Sequence, residues 1–521
     1  MAATTAAAVG RVQTVAVVGL TAVPVTVEAA VGPGLPGFSV IGSSGSAAAQ
    51  AADRVRAALG ATGVRLPAQK ALLSLAPADV PKAGARYDLA LALAVLARLG
   101  AVPQEALEAT AVVGELGLDA SVRPVPGVLP SAAALPGAGI RRLLVAEANA
   151  AEAALVDGLE VVPVATLGEA CRVLRGEEAP RRVPPASQPP GRVGGEPDLA
   201  DVRGQAEARR ALEVAAAGGH HLLLLGPPGC GKSMLARRLP TVLPPLSPAA
   251  ALELAAIRSV AGLLARDPGE RVTLLDDRPP LRAPHHGIST AALLGGGTAV
   301  ARPGELSLAH RGVLFLDELF EWPRRVLESL REPLEDGVVR VARSRATVTY
   351  PARVQLVCAA NPCPCGGGPR CTCGDEEVVA YRARLSGPLA DRLDLAPVVE
   401  PLSADDLLAS APGEPSAAVA VRVAAARAAA AERWGSPEVT NAVADPAAVR
   451  RTARPAALRV LARAVESGTL TGRGFDRALR VARTCADLAG ADVVDRDHAL
   501  EALGHRVALR AGAAAGREAG W

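Results

Sequence analysis

At 521 residues and 52.7 kDa the chain exceeds one ordinary core, and roughly two to four domains are expected. Half of its residues are hydrophobic and 21% are charged, which excludes a disordered chain; a net charge of +3 with a pI near 8.5 neither demands nor excludes a nucleic-acid partner. No apolar run reaches the roughly 18 residues of a membrane span, and no basic stretch leads into a continuous apolar block, so no membrane association and a cytoplasmic location are expected.

Residues 1–177 read as one α/β domain. Val12 to Val18 and Val23 to Val31 alternate like strands, Ala47 to Leu59 and Tyr87 to Leu99 carry helical spacing, and Leu143 to Ala146 and Glu160 to Pro163 are short apolar strands. Residues 178–197 are rich in Pro and Gly without apolar periodicity and read as an extended linker. From 198 to 400 strands alternate with helices, the pattern of a parallel sheet covered on both faces. Residues 401–521 are rich in Ala, Leu and Arg at helical spacing and read as an all-α domain.

The densest chemistry lies in the central region. An apolar strand, Leu222 to Leu225, runs into Gly226-Pro227-Pro228-Gly229-Cys230-Gly231-Lys232-Ser233 and then a helix, the GxxxxGK[ST] spacing in its required setting. Glycines let backbone N–H groups turn inward around the phosphates of ATP, Lys232 reaches the β- and γ-phosphates, and the Ser233 hydroxyl binds Mg²⁺. Only Lys70, Lys82 and Lys232 are lysines among 56 basic residues, so a lysine at this position stands out against the bias towards Arg. A second strand, Gly312 to Leu316, ends in Asp317 and Glu318 at the sheet edge where ligands of open α/β sheets gather. Asp317 is expected to hold Mg²⁺ through water and Glu318 to polarise the attacking water.

Farther on, Gly337 to Tyr350 reads as a β-hairpin with a basic tip. Arg340, Arg343 and Arg345 are its candidates for tracking DNA phosphates without reading bases, and a solvated turn is the competing reading. A third strand, Arg353 to Ala360, leads to Asn361, either an amide that orients water at the γ-phosphate or an ordinary Asn-Pro turn. Cys363, Cys365, Cys371 and Cys373 form CxC-x5-CxC. Four thiolates in so short a stretch suit a structural Zn²⁺, with reduced thiols or redox disulfides as the alternative. Arg392 follows a short helix; its planar charge suits γ-phosphate contact from a neighbouring subunit, or else a surface ion pair with Asp391 or Asp394.

These motifs, together with Arg282-Ala-Pro-His-His286, Pro303 to His310, Glu335-Asp-Gly337 and Asn361 to Gly366, resemble the magnesium-chelatase-like AAA+ ATPases, and within them the YifB/ComM family, over nearly the whole chain. The resemblance implies an AAA+ P-loop core with a C-terminal helical lid, assembled as a ring, usually a hexamer, with ATP at the subunit interfaces. It further implies an arginine finger at Arg392 and a second sensor arginine at the start of a lid helix, Arg473 first and Arg477 second. Asp201 to Gln205 matches the segment that lies over the adenine, and the hairpin matches one that points into the ring's pore. Pro77 to Asp88 and Gly114 to Pro124 resemble the Lon-protease fold, yet the serine position falls at about Arg86 and the base-lysine position at about Leu129. A non-proteolytic N-terminal domain that binds protein partners or assembles the ring is therefore expected. Three functions follow in order: a DNA-remodelling motor acting on single-stranded or branched DNA, with branch-migration helicase activity tied to recombination or natural transformation; a protein-remodelling or regulatory ATPase; and a metal-chelatase motor subunit.

Overall fold

The structure, a computed structural model, describes residues 9–506 except 33–34, 36, 43–44, 65–68, 182, 184–196, 265–274, 298–300, 344–345, 368–370 and 403–412. Most of the expected linker thus lies outside the described residues. In the N-terminal region seven strands form one mixed sheet in the order Gly37–Ile41, Lys70–Ala76, Thr21–Gly32, Gly10–Val18, Thr110–Val113, Arg142–Ala146, Glu160–Val164. The first two long strands pair antiparallel, Val12 opposite Val27, and the three strands from Thr110–Val113 onward run parallel. The helix Asp88–Arg98 is buried from Asp88 to Leu96, as its continuous apolar run of Leu, Ala and Val requires, and it shares a core with Val12, Val25 and Val27. The polar residue at its start, Asp88, is paired by Arg54 at 2.6 Å.

The central sheet is parallel, in the order Leu222–Leu225, Gln355–Ala360, Val313–Leu316, Leu281–Arg282. The strands Leu222–Leu225 and Val313–Leu316 are apolar throughout, and Gln355–Ala360 is apolar after its first residue, because both faces are covered. Leu222, Leu224, Val313, Phe315, Val357 and Ala359 point to one core; Leu223, Leu225, Leu314, Leu316, Leu356 and Cys358 point to the other. The first core also takes in Val419, Val423, Leu461 and Leu479 from the C-terminal helices Ser416–Trp434, Pro455–Glu466 and Gly472–Leu488, so these helices cover one face of the sheet. No strand occurs among the described residues from 413 onward. The second core holds the hairpin Val338–Ala342 and Thr347–Pro351 through Val339, Val348 and Tyr350.

The N-terminal and central regions meet along a polar seam. The helix Val128–Ala134 packs against Pro248–Val260 of the central region, with Leu129 and Ala255 in one small core. Ser259 is the hub: its carbonyl accepts from Gly127 N at 2.8 Å, its Oγ accepts from Leu129 N at 3.2 Å and donates to Glu152 at 2.6 Å. Val18 and Leu20, at the first turn of the N-terminal sheet, pack into the core that carries Val348 of the hairpin.

Candidate nucleotide site

Register alone brings the site together. Leu225 lies opposite Ala360, and Leu316 opposite Cys358, so the three strands end side by side and deliver Gly226, Asn361 and Asp317 to one sheet edge. Gly226 has no alternative at its position, since a Cβ there would stand 2.1 Å from the carbonyl oxygen of Val399. Lys232, at the start of the helix Lys232–Arg238, is folded back into the loop: Nζ donates to Gly226 O at 2.6 Å, Pro227 O at 2.7 Å and Asn361 Oδ1 at 3.0 Å. Burial lowers its pKa, because a desolvated ammonium is costly even with every proton accepted. An ammonium held only by neutral oxygens has a stronger partner in the charged oxygens of a phosphate.

Ser233 Oγ donates to Asp317 Oδ2 at 2.7 Å, joining the hydroxyl and carboxylate expected to serve Mg²⁺. The other oxygen, Oδ1, accepts from Glu318 N at 3.0 Å, while Trp322 Nε1 fixes the Asp317 carbonyl at 2.8 Å. Glu318 sits at φ 52°, a left-handed conformation that turns its side chain out of the strand, and this side chain is 57% exposed. His286 Nδ1 lies 3.2 Å from Glu318 Oε2. Its loop leaves the strand Leu281–Arg282, which runs parallel beside Val313–Leu316, and so reaches the same edge. Arg282 is itself clamped to Glu305 at 2.6 and 2.8 Å, uniting two of the segments singled out by their motifs. His310, in contrast, is buried and bonded to Glu253 at 2.9 Å and to Arg353 N at 3.0 Å. Gln205 lies against the phosphate loop, donating to Cys230 O at 3.2 Å and Glu400 O at 2.6 Å.

The four clustered cysteines converge. Sγ–Sγ separations are 3.4 Å for Cys363–Cys365 and 3.5 Å for both Cys363–Cys371 and Cys365–Cys371, and Cys373 belongs to the same group. A disulfide needs about 2.05 Å, whereas four sulfurs about 2.3 Å from one zinc stand about 3.8 Å apart. Amide donors from Gly367 and Thr372 pull the exposed Cys365 thiol down to about 6, and burial pushes Cys363 up to about 12. The donor set fits a closed thiolate site.

The arginines divide. Arg392 pairs with Glu335 and donates to Pro388 O at 2.7 Å. Arg477 donates to Asp394 Oδ1 at 2.7 Å and Arg392 O at 3.0 Å. Asp394 accepts from His221 N, just before Leu222, so Arg477 is engaged at the end of that strand opposite the phosphate loop. Burial lowers the pKa of His220 and of His221, the latter to about 4, beside an Asp394 carboxyl held well below its ordinary range. Arg473 stands exposed in the first turn of Gly472–Leu488. On the hairpin, Arg340 is neutralised by Asp336 at 2.6 Å and Glu332 at 3.1 Å, Arg343 donates to Gly297 O at 3.0 Å, and Arg345 lies outside the described residues.

Comparison with known proteins agrees along the chain. Residues 198–407 match the family described as magnesium chelatase, subunit ChlI; residues 27–149 match subunit ChlI of Mg-chelatase, and residues 413–506 its C-terminal family. An uncharacterized protein of Mycobacterium tuberculosis is 48% identical over 505 residues, 96% of this chain and 99% of the relative. Escherichia coli YifB, also described as uncharacterized, is 42% identical over 502 residues, 95% and 96% of the two chains. The competence protein ComM of Haemophilus influenzae is 38% identical over 500 residues, 94% and 96% of the two chains.

The chain belongs to the YifB/ComM family of magnesium-chelatase-like AAA+ ATPases. Membership carries the P-loop core and ATPase class, and among the described residues no helix is long and apolar enough to cross a membrane. In this family member two features escaped sequence reasoning, the His286–Glu318 contact and the Ser259 seam. The repeated His in Arg282 to His286 was the available signal for the first; the second joins positions 130 apart and left no local mark.

Proposed function

We propose that the protein is an ATP-hydrolysing motor that remodels DNA, working as a homo-hexamer on single-stranded or branched DNA in the cytoplasm. The observation that carries the ATPase part is the junction of Lys232 with Asn361 and Ser233 with Asp317 across three strand ends. On binding ATP, Lys232 exchanges its loop carbonyls for phosphate oxygens. Ser233 and Asp317 are the residues that would hold Mg²⁺, which supplies charge neutralisation on the phosphates when bound. The fit is supported by their 2.7 Å contact, which sets a hydroxyl and a carboxylate oxygen side by side. Glu318 orients the attacking water and the Asn361 amide aligns it. Arg392, released from Glu335, reaches a neighbouring subunit's γ-phosphate, and Arg473, free of the network that holds Arg477, acts as the lid sensor.

The DNA part rests on kinship with ComM and on the hairpin's position under the N-terminal domain. With Arg340 committed to acids, Arg343 and Arg345 are its phosphate-tracking residues. The four cysteines hold a structural Zn²⁺, as their sulfur separations support. The N-terminal domain is Lon-like without peptidase chemistry: where the resemblance puts the nucleophile the chain has Arg86, whose guanidinium is bonded to Ser131 at 2.6 Å. ATPase activity stimulated by DNA and weakened by salt is expected, with migration of a synthetic four-way junction that Lys232→Ala abolishes. ATP turnover indifferent to single-stranded, duplex and branched DNA at low salt would transfer the assignment to protein remodelling.

A further inference from the structure

The cysteine knuckle touches the phosphate loop. It begins two residues after Asn361, whose Oδ1 accepts from Lys232, and a reverse turn follows in which Gly366 N donates to Cys363 O at 3.0 Å. Gly366 sits at φ 94°, and a Cβ on it would stand 2.7 Å from Cγ of Pro228, so the turn's backbone rests directly on the phosphate loop. Pro228 adjoins Pro227, whose carbonyl accepts from both Lys232 and the Cys230 thiol. On the far side the helix Asp375–Arg382 starts two residues beyond Cys373, and Arg382 Nε returns to Pro362 O at 3.0 Å. The knuckle therefore closes a loop whose two ends are the sensor strand and this helix, and whose Gly366 turn rests on Pro228 of the phosphate loop.

Two of the four sulfur-bearing residues, Cys365 and Cys371, are exposed, and only Cys363 is buried. Apolar burial is too slight to hold these side chains together, so a bound cation is what would fix the turn.

We propose that the four-cysteine knuckle is a zinc clasp on the phosphate loop, holding Gly366 against Pro228 and Asn361 at Lys232, so that metal occupancy sets nucleotide affinity. The proposal rests on the zinc reading above and adds a consequence for it: the metal acts on ATP binding through packing, without touching the nucleotide. A chain stripped of zinc keeps its folded core and Lys232 but loses the fixed phosphate loop.

The test uses the full chain, with zinc measured by inductively coupled plasma analysis and affinity by titration with a fluorescent ATP analogue. Wild type is expected to carry about one zinc per chain. Stripping with a zinc-selective chelator that spares Mg²⁺ is expected to weaken the analogue roughly tenfold, about 1.4 kcal/mol, and zinc readdition to restore it. Cys365→Ser with Cys371→Ser, both at exposed positions, should copy the stripped chain. Gly366→Val should retain zinc yet weaken the analogue, because its side chain displaces Pro228. Absence of zinc from wild type, with none taken up on addition, overturns the zinc reading itself. Zinc at one equivalent with affinity unchanged by stripping and by Gly366→Val leaves that reading standing and overturns the clasp.

Discussion

Two turns in this molecule look alike and do different work. Pro77 to Asp88 and Gly226 to Ser233 each carry two prolines and at least one glycine, and each buries a lysine close to the start of a helix. Lys82 and Lys232 are 3% and 8% exposed, both have a pKa lowered by burial, and both donate to a proline carbonyl, Pro77 O and Pro227 O. The difference lies in what other strands bring. Lys232 also reaches Asn361 from another strand, beside Asp317 and Glu318. Lys82 donates to two carbonyls of its own turn, and Arg86, the next basic residue of that turn, is spent on Ser131. A buried lysine is thus made chemical by the long-range contacts around it, and a turn alone makes it only a plug.

The sharpest way to break this comparison is to delete each ammonium. Lys232→Ala is expected to weaken nucleotide binding by about a hundredfold or more, since a charge-assisted set of hydrogen bonds to phosphate is lost. Its melting temperature without nucleotide should change little, because the cup it leaves opens to water. Equal loss of nucleotide affinity in Lys82→Met would mean that the two turns are coupled after all.

Next in size is the chemistry beside Lys232. Glu318→Gln should bind the ATP analogue as wild type does and lose roughly 10²–10⁴ in turnover, read by phosphate release. His286→Ala removes a contact 3.2 Å from the same carboxylate and is expected to change turnover by less, with affinity preserved. A Glu318→Gln chain that hydrolyses ATP normally would remove Glu318 from the proposed role. Arg392→Ala should slow turnover while sparing analogue binding, and mixing it with Lys232→Ala chains should recover part of the activity if each supplies what the other lacks across an interface.

How much of this was readable beforehand follows the range of the contacts. The GxxxxGK[ST] loop is contiguous, so Lys232 and Ser233 were legible, and Asp317 and Asn361 were legible as strand ends because apolar runs announce buried parallel strands. The cysteine cluster was legible as a cluster but not as a neighbour of Pro228, which depends on a left-handed turn at Gly366. Arg340 looked like a phosphate contact until the helix end before it supplied Asp336 and Glu332, acids near in sequence whose direction only the fold determines. The seam at Ser259 joins segments more than a hundred residues apart, and no spacing rule reaches that far.

A smaller effect is expected on the structural side of the comparison. Lys82→Met keeps the volume but leaves Val80 O and Pro77 O without their donor, a cost of about 1–2 kcal/mol offset in part by the relief of a desolvated charge. Chemical denaturation reads that loss, and ATP turnover of the folded fraction should stay at the wild-type value.

The smallest effect concerns Glu152, which shows how the N-terminal turn region is fastened to the central region. Its carboxylate is 1% exposed, accepts from Ser259 Oγ and Asn149 Nδ2 at 2.6 Å each, and has Arg86 as the nearest countercharge affecting it. Burial raises its pKa above the ordinary 4.5 despite those bonds. Between 4.5 and that raised value the folded chain holds a proton that the unfolded chain has released, so stability falls as pH rises through the window and is fully present only below it. Glu152→Gln cannot titrate and lacks this slope. The melting temperature of wild type minus that of Glu152→Gln should therefore decline as pH rises above 4.5. A difference that stays flat would mean that the carboxylate titrates alike in both states and that its burial at the seam leaves no mark on stability.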